Sequence, residues 1–219
     1  MVACCIFMRM KTFFCIVLAY LLGLHEPAFS QSVKLGIKLS PTIIFNRFVS
    51  HSDSIAINNT QNDKRFTFGL TADFGLTDNY FFSTGVLYSL RKVTFAAVNL
   101  NSGESDTEQY SLEYIELPLT LKLYTNDIGV DSKIYFQPGF TLDFLVNWKG
   151  INKNDNRVNG FYFFDSSFYI GAGLEKMLGV TTAFFAGLFY QRGLVDIANK
   201  NDDITLKNDL LGLDLGLRF

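Results

Sequence analysis

Arg65-Phe66-Thr67-Phe68-Gly69-Leu70-Thr71-Ala72-Asp73-Phe74-Gly75-Leu76 is the stretch that decides the fold. Phe66, Phe68, Leu70, Ala72, Phe74 and Leu76 alternate with Arg65, Thr67, Gly69, Thr71, Asp73 and Gly75. Successive side chains of a strand point to opposite faces, so a period of two gives one apolar face and one polar or glycine face.

The pattern recurs along the chain. Upstream, Val33, Leu35, Ile37 and Leu39 alternate with Lys34, Gly36, Lys38 and Ser40. Downstream, Phe82, Val86, Tyr88 and Leu90 oppose Ser83, Gly85, Ser89 and Arg91, and Ile115 to Leu123 oppose Glu116, Pro118, Thr120 and Lys122. Four further segments follow, with polar or glycine faces holding Gln137, Gly139, Thr141 and Asp143; Gly171, Gly173 and Glu175; Gly187 and Gln191; and Gly212, Asp214, Gly216 and Arg218. The pattern predicts an all-β, eight-stranded antiparallel up-and-down barrel. Short connections at 77–79, 125–132 and 176–179 alternate with longer polar ones at 46–64, 97–108, 148–160 and 198–204. Outer-membrane barrels are built this way, with short periplasmic turns and longer extracellular loops.

A soluble lipocalin-like barrel holding a lipophilic ligand also has eight alternating strands, but with the apolar face inward. The glycines separate the two. Gly36, Gly69, Gly75, Gly85, Gly139, Gly171, Gly173, Gly187, Gly212 and Gly216 all fall on the polar side. A narrow lumen is crowded and takes small residues, whereas a solvated strand gains nothing from glycine. The opposite face is a lipid-facing band, with Tyr80, Tyr88, Tyr110, Tyr124 and Tyr190 expected in an aromatic girdle. The polar face then points into the lumen, where Lys34, Lys38, Arg65, Asp73, Arg91, Glu116, Lys122, Asp143, Glu175, Asp214 and Arg218 must pair and hydrogen-bond. Lys34 or Lys38 is expected against Asp214.

Composition agrees. The 219 residues include 23 Phe, 10 Tyr and 17 Gly, a mixture that favours strands over helices. A net charge of −2 leaves no basic footprint for nucleic acid. Residues 1–30 read differently: Arg9 and Lys11 precede an apolar run over 13–22, and small residues Ala28 and Ser30 stand three and one positions before Gln31. That is the layout of a secretory signal peptide cut before Gln31, leaving 31–219 as one barrel domain. The run is well short of the ~20 residues a spanning helix needs. The cut removes Cys4, Cys5 and Cys15, so neither disulfides nor thiolate metal sites are expected. The location implied is the outer membrane of a Gram-negative bacterium, with outer-membrane lipid and the barrel assembly machinery as partners and Phe219 as a C-terminal assembly signal.

Two segments carry a resemblance. Tyr114-Ile115-Glu116-Leu117-Pro118-Leu119-Thr120-Leu121-Lys122 and Tyr190-Gln191-Arg192-Gly193-Leu194-Val195-Asp196-Ile197 resemble signatures of the PorT-like outer-membrane β-barrel family. Tyr114, Glu116, Pro118, Lys122, Tyr190, Gly193 and Leu194 are the motif positions. The resemblance implies an eight-stranded barrel and, through the family's eponymous member, an association with a secretion machinery. Physically the first motif reads as architecture: Glu116 and Lys122 share the lumen face, and Pro118 removes a ladder donor, marking a bend or bulge.

Three functional classes remain. A structural or interaction protein, working through extracellular loops or as an accessory of an envelope or secretion assembly, needs only what is visible. A lipid-modifying enzyme or protease needs a nucleophile–base set, for which the sole remaining histidine, His51, beside Ser50, Ser52 and Asp53, is the one candidate. A channel conflicts with the strand number, since porins use about 16. No cofactor is expected, and Asp202-Asp203 lacks a cation-binding spacing.

Overall fold

In the computed structural model the described residues are 32–50, 55–58, 63–99, 105–151, 160–197 and 204–219. The expected signal peptide and its cut site, His51 with Ser52 and Asp53, and Asp202-Asp203 lie outside them.

Among the described residues nine antiparallel strands are formed: β1 (Val33–Ser50), β2 (Ile55–Asn58), β3 (Asp63–Gly75), β4 (Tyr80–Asn99), β5 (Ser105–Tyr124), β6 (Ser132–Gly150), β7 (Phe164–Met177), β8 (Ala183–Gly193) and β9 (Ile204–Arg218). Eight of them close on one another in the order β1-β3-β4-β5-β6-β7-β8-β9, with β1 against β9 sealing the ring. Strand β2 pairs with β4 alone, from Ile55↔Asn99 to Asn58↔Ala96. All three turns between β3 and β4, β5 and β6, and β7 and β8 lie at one end with Ser32 and Phe219; this is the turn end, and the opposite one the loop end.

Closure puts the period-two pattern to use. Phe66, Phe68 and Leu70 of β3 are exposed on the outer wall, while Arg65, Thr67 and Asp73 of the alternate set are buried inside. The apolar face is therefore outward, the reverse of what a soluble ligand-holding barrel requires.

Glycines sit where the inner wall is tightest. Gly173 and Gly187 lie directly opposite each other on β7 and β8, under the hydroxyl of Tyr135. A Cβ on Gly187 would meet the Ala172 carbonyl oxygen at 2.7 Å and the Tyr135 hydroxyl closer still. Gly212 and Gly216 of β9 face Phe189 and Phe185 of β8 in register, and the two rings lie over them. Cross-strand glycine under an aromatic ring is how a sheet packs a bulky group in little space.

The strand ends depart from expectation. Strand enters the polar stretches expected as loops at 46–64, 97–108 and 148–160: β1 runs to Ser50, β4 to Asn99, β5 starts at Ser105 and β6 ends at Gly150, while 51–54, 59–62, 100–104 and 152–159 lie outside the described residues. Beyond the lipid a strand needs no apolar face, so the pattern that marks a membrane strand vanishes while hydrogen bonding continues. Pro118 makes no bulge. The β4–β5 ladder breaks between Thr84↔Leu119 and Leu87↔Glu116 without a change of register, as loss of one N–H requires. The register shift of β5 against β6 lies instead between Glu113 and Tyr114.

Candidate functional site in the barrel interior

The interior is filled in layers. Nearest the turn end, Phe81, Tyr124, Tyr135 and Phe185 form a buried aromatic floor. Arg218 is ion-paired with Glu175, donates to the Tyr124 hydroxyl at 2.8 Å and lies 3.6 Å from Asp73; Tyr124 in turn donates to Glu175 at 2.6 Å. Lys122 pairs with Asp73 at 2.9 Å, its ammonium over the Phe185 and Tyr135 rings. These rings supply a second attraction for the buried cations.

The next layer centres on Asp214. It pairs with Lys38 at 2.7 Å and accepts hydrogen bonds from the Ser40 hydroxyl at 2.6 Å and the Tyr169 hydroxyl at 2.5 Å. Tyr169 stacks on Phe189 with centroids 5.4 Å apart.

Above it, charge is sorted by strand. Arg65 of β3 and Arg91 of β4 are direct cross-strand neighbours, and Glu116, Asp143 and Asp165 run in register across β5, β6 and β7. The basic pair meets the acidic row across the lumen. Arg65 is ion-paired with Glu116 and donates to Gln191 at 3.1 Å, Thr67 at 3.0 Å and Ser89 at 2.5 Å. Gln191 also donates to Glu116 at 3.2 Å. Arg91 joins Asp143 and Asp165, the latter at 3.0 Å, with its guanidinium 4.2 Å from the Tyr114 ring centre. Side-by-side like charges are costly; opposed arginines shared among them offset that cost. The space among Lys38, Arg65, Leu87, Glu116, Phe189 and Gln191 is too small for a water molecule.

The loop end carries an apolar cap. Val93, Tyr110, Leu112, Tyr114 and Ile197 are buried together, with Leu145 and Phe161 against them. The segments following β6 and β8 are tied here by the Tyr162 N–H to Ile197 carbonyl bond of 3.0 Å.

The structure thus brings Lys38 to Asp214, Arg65 to Glu116, Arg91 to Asp143, Lys122 to Asp73, and Arg218 to Glu175. Lys34 departs from the expected lumen pairing. It is half-buried at the turn-end mouth, 5.0 Å over the Phe81 ring, and forms no ion pair among the described residues. It lies one row nearer the end than Gly36, where the lumen opens into a shallow cavity of about 210 Å³. The expected girdle also needs correction: Tyr80 and Tyr190 are outward, but Tyr110 and Tyr124 are buried inside, because β5 turns its even-numbered residues to the lumen. Asp165 was not among the expected lumen charges. Carrying the alternation back from Tyr169 through Ser167 reaches it. Of the second motif, Gly193 is inward, Tyr190 and Leu194 are exposed, and Ile197 enters the cap.

Comparison with known proteins reads the same architecture. A family model described as outer membrane protein beta-barrel domain matches residues 29–199. The chain belongs to this family. Among solved structures, this barrel is similar to the outer membrane protein OprG from Pseudomonas aeruginosa, at 12% identity and a TM-score of 0.54, covering 86% of this chain and 95% of that one. It is also similar to Neisserial surface protein A, at 14% identity and a TM-score of 0.50, covering 87% and 98%. At that identity both likenesses speak to fold alone. No curated protein matches the sequence. Family membership places the protein in the outer membrane. As in other such barrels, the turn end then faces the periplasm and the loop end the exterior.

Proposed function

We propose that this outer-membrane barrel is a closed scaffold that conducts nothing and works by holding a rigid β extension and its loops at the cell surface for a partner in the envelope. The observation that carries this reading is strand length. Strands β1, β4, β5 and β6 have 18, 20, 20 and 19 residues, where about 9–11 span a bilayer. By contrast β7, β8 and β9 have 14, 11 and 15. One wall therefore continues well past the lipid, with β2 added to it, and an ordered wall is a better platform than loose loops. The filled lumen supports the same reading, since its charges are engaged with one another and leave no passage for solute. The PorT-like motifs at 114–122 and 190–197 favour a finer version, in which the partner is part of a secretion assembly.

The test is capture from native membranes with the full chain, against a variant in which 100–104 is replaced by a tight turn and β4 and β5 are shortened. A partner retained by the full chain and lost by the shortened one supports the scaffold reading. Conductance steps from purified protein in a planar bilayer would overturn it.

A further inference from the structure

We propose that the outer wall carries a binding site for a phosphorylated glycolipid of the outer leaflet, built on Lys64 and Lys92. The β3–β4 ladder runs through Phe68↔Tyr88, Phe66↔Leu90 and Arg65↔Arg91. The ladder ends at that pair; Lys64 and Lys92 are the next residues of the two strands, and both side chains are exposed on the outer face. Like charges directly opposite on a sheet repel, so the pair calls for an anion between them.

The protein does not supply one among its described residues, where neither lysine has an ion pair. Asp63, next in sequence, points inward and accepts the Thr94 N–H at 2.6 Å. Glu113 on β5 accepts the Tyr88 hydroxyl at 2.8 Å. Elsewhere at this end Arg192 of β8 stands in register with Asp209 of β9, an opposite-sign pair, and Arg47 of β1 with Lys207 of β9, a like-sign one.

What lies beneath selects a lipid over a free anion. Phe66 and Leu90 are exposed directly under the lysines, then Phe68 beside Tyr88 with ring centres 5.7 Å apart, then exposed Leu70 and Val86. Ile43 of β1, itself exposed, stands in register with Lys64 beside this column. Two ammonium groups at the top of an apolar column match a headgroup phosphate above acyl chains. Ammonium groups act as point charges on phosphate and tolerate several headgroup geometries.

The experiment uses the folded full chain in detergent with bisphosphorylated lipid A, the same lipid stripped of its phosphates, and inorganic phosphate. Lipid retained per barrel after gel filtration is counted by mass spectrometry. Wild type should retain the phosphorylated lipid in preference to the stripped one. The K64Q/K92Q variant should lose roughly thirtyfold in affinity for it, and K64R/K92R should keep it. If the double variant lacks the heat-dependent gel shift of a folded barrel, the single variants are read instead, with roughly fivefold each. Equal retention of the stripped lipid, unchanged affinity in the glutamine variants, or full displacement by inorganic phosphate would each overturn the proposal, the last by assigning the pair to a free anion.

Discussion

Arg91 shows how much one side chain can hold in a crowded lumen. It is buried to 1% exposure and is the ion-pair partner of both Asp143 and Asp165. Arg91→Ala leaves two opposed carboxylates unpaired, and breaking a buried pair from one side costs about 3–5 kcal/mol. Equilibrium unfolding in detergent should show that loss for the single variant. The triple variant R91M/D143L/D165L, which removes charge from both sides, should recover much of it. A triple variant no more stable than R91A would mean that packing against Tyr114, not charge, sets the cost. Gly187 makes a complementary point about volume. Gly187→Val must push aside the Tyr135 hydroxyl and meets the Ala172 backbone, so a destabilisation of about 1–3 kcal/mol is expected, against little change for a valine on the outer wall at Ala186.

At the scale of the strand, legibility follows the lipid. Where both faces have a job, as in β3, alternation from Arg65 to Gly75 reads directly as lumen and lipid. Strand β8 carries aromatic rings on both faces, with Phe185 and Phe189 inward, and the reason stands on β9, where Gly216 and Gly212 make room for them. One strand's inward residues are set by its neighbour, which a reading strand by strand misses. The same applies to Asp165, which extends an acidic row begun by Glu116 and Asp143. Past the lipid the alternation stops, so from sequence the ends of β1, β4 and β5 resemble loops. The outward face should then answer to depth in the bilayer. Leu70 is 65% exposed midway down β3, so Leu70→Arg should cost about 2–4 kcal/mol in folding into lipid vesicles. Lys92→Leu, at the rim, should cost far less. Equal costs would put the lipid band elsewhere on the wall.

For the whole molecule, the ordering of layers between the two mouths determines what a perturbation can open. The apolar cap, the Arg65–Arg91 charge layer, the Asp214 layer and the aromatic floor stand in series, and each spans the lumen with residues from opposite walls. Transport past one leaves the solute facing the next. An ion entering the charge layer would have to replace contacts such as Arg65 to Glu116 and Gln191, whose members are buried below 5% exposure. Opening the cap alone should therefore not make a pore. Phe161→Ala with Ile197→Ala removes the two residues that the loop segments contribute to the cap. The variant should be less stable, because truncating a buried Ile costs roughly 2–5 kcal/mol and the half-buried Phe161 adds to it. In planar bilayers it should nevertheless stay as silent as wild type. Conductance steps appearing in this variant would show that the cap alone had kept the lumen shut and that the charged layers let ions through. Silence, together with lost stability in the same preparation, would assign closure to the layers beneath and leave the loop end free for the proposed partner.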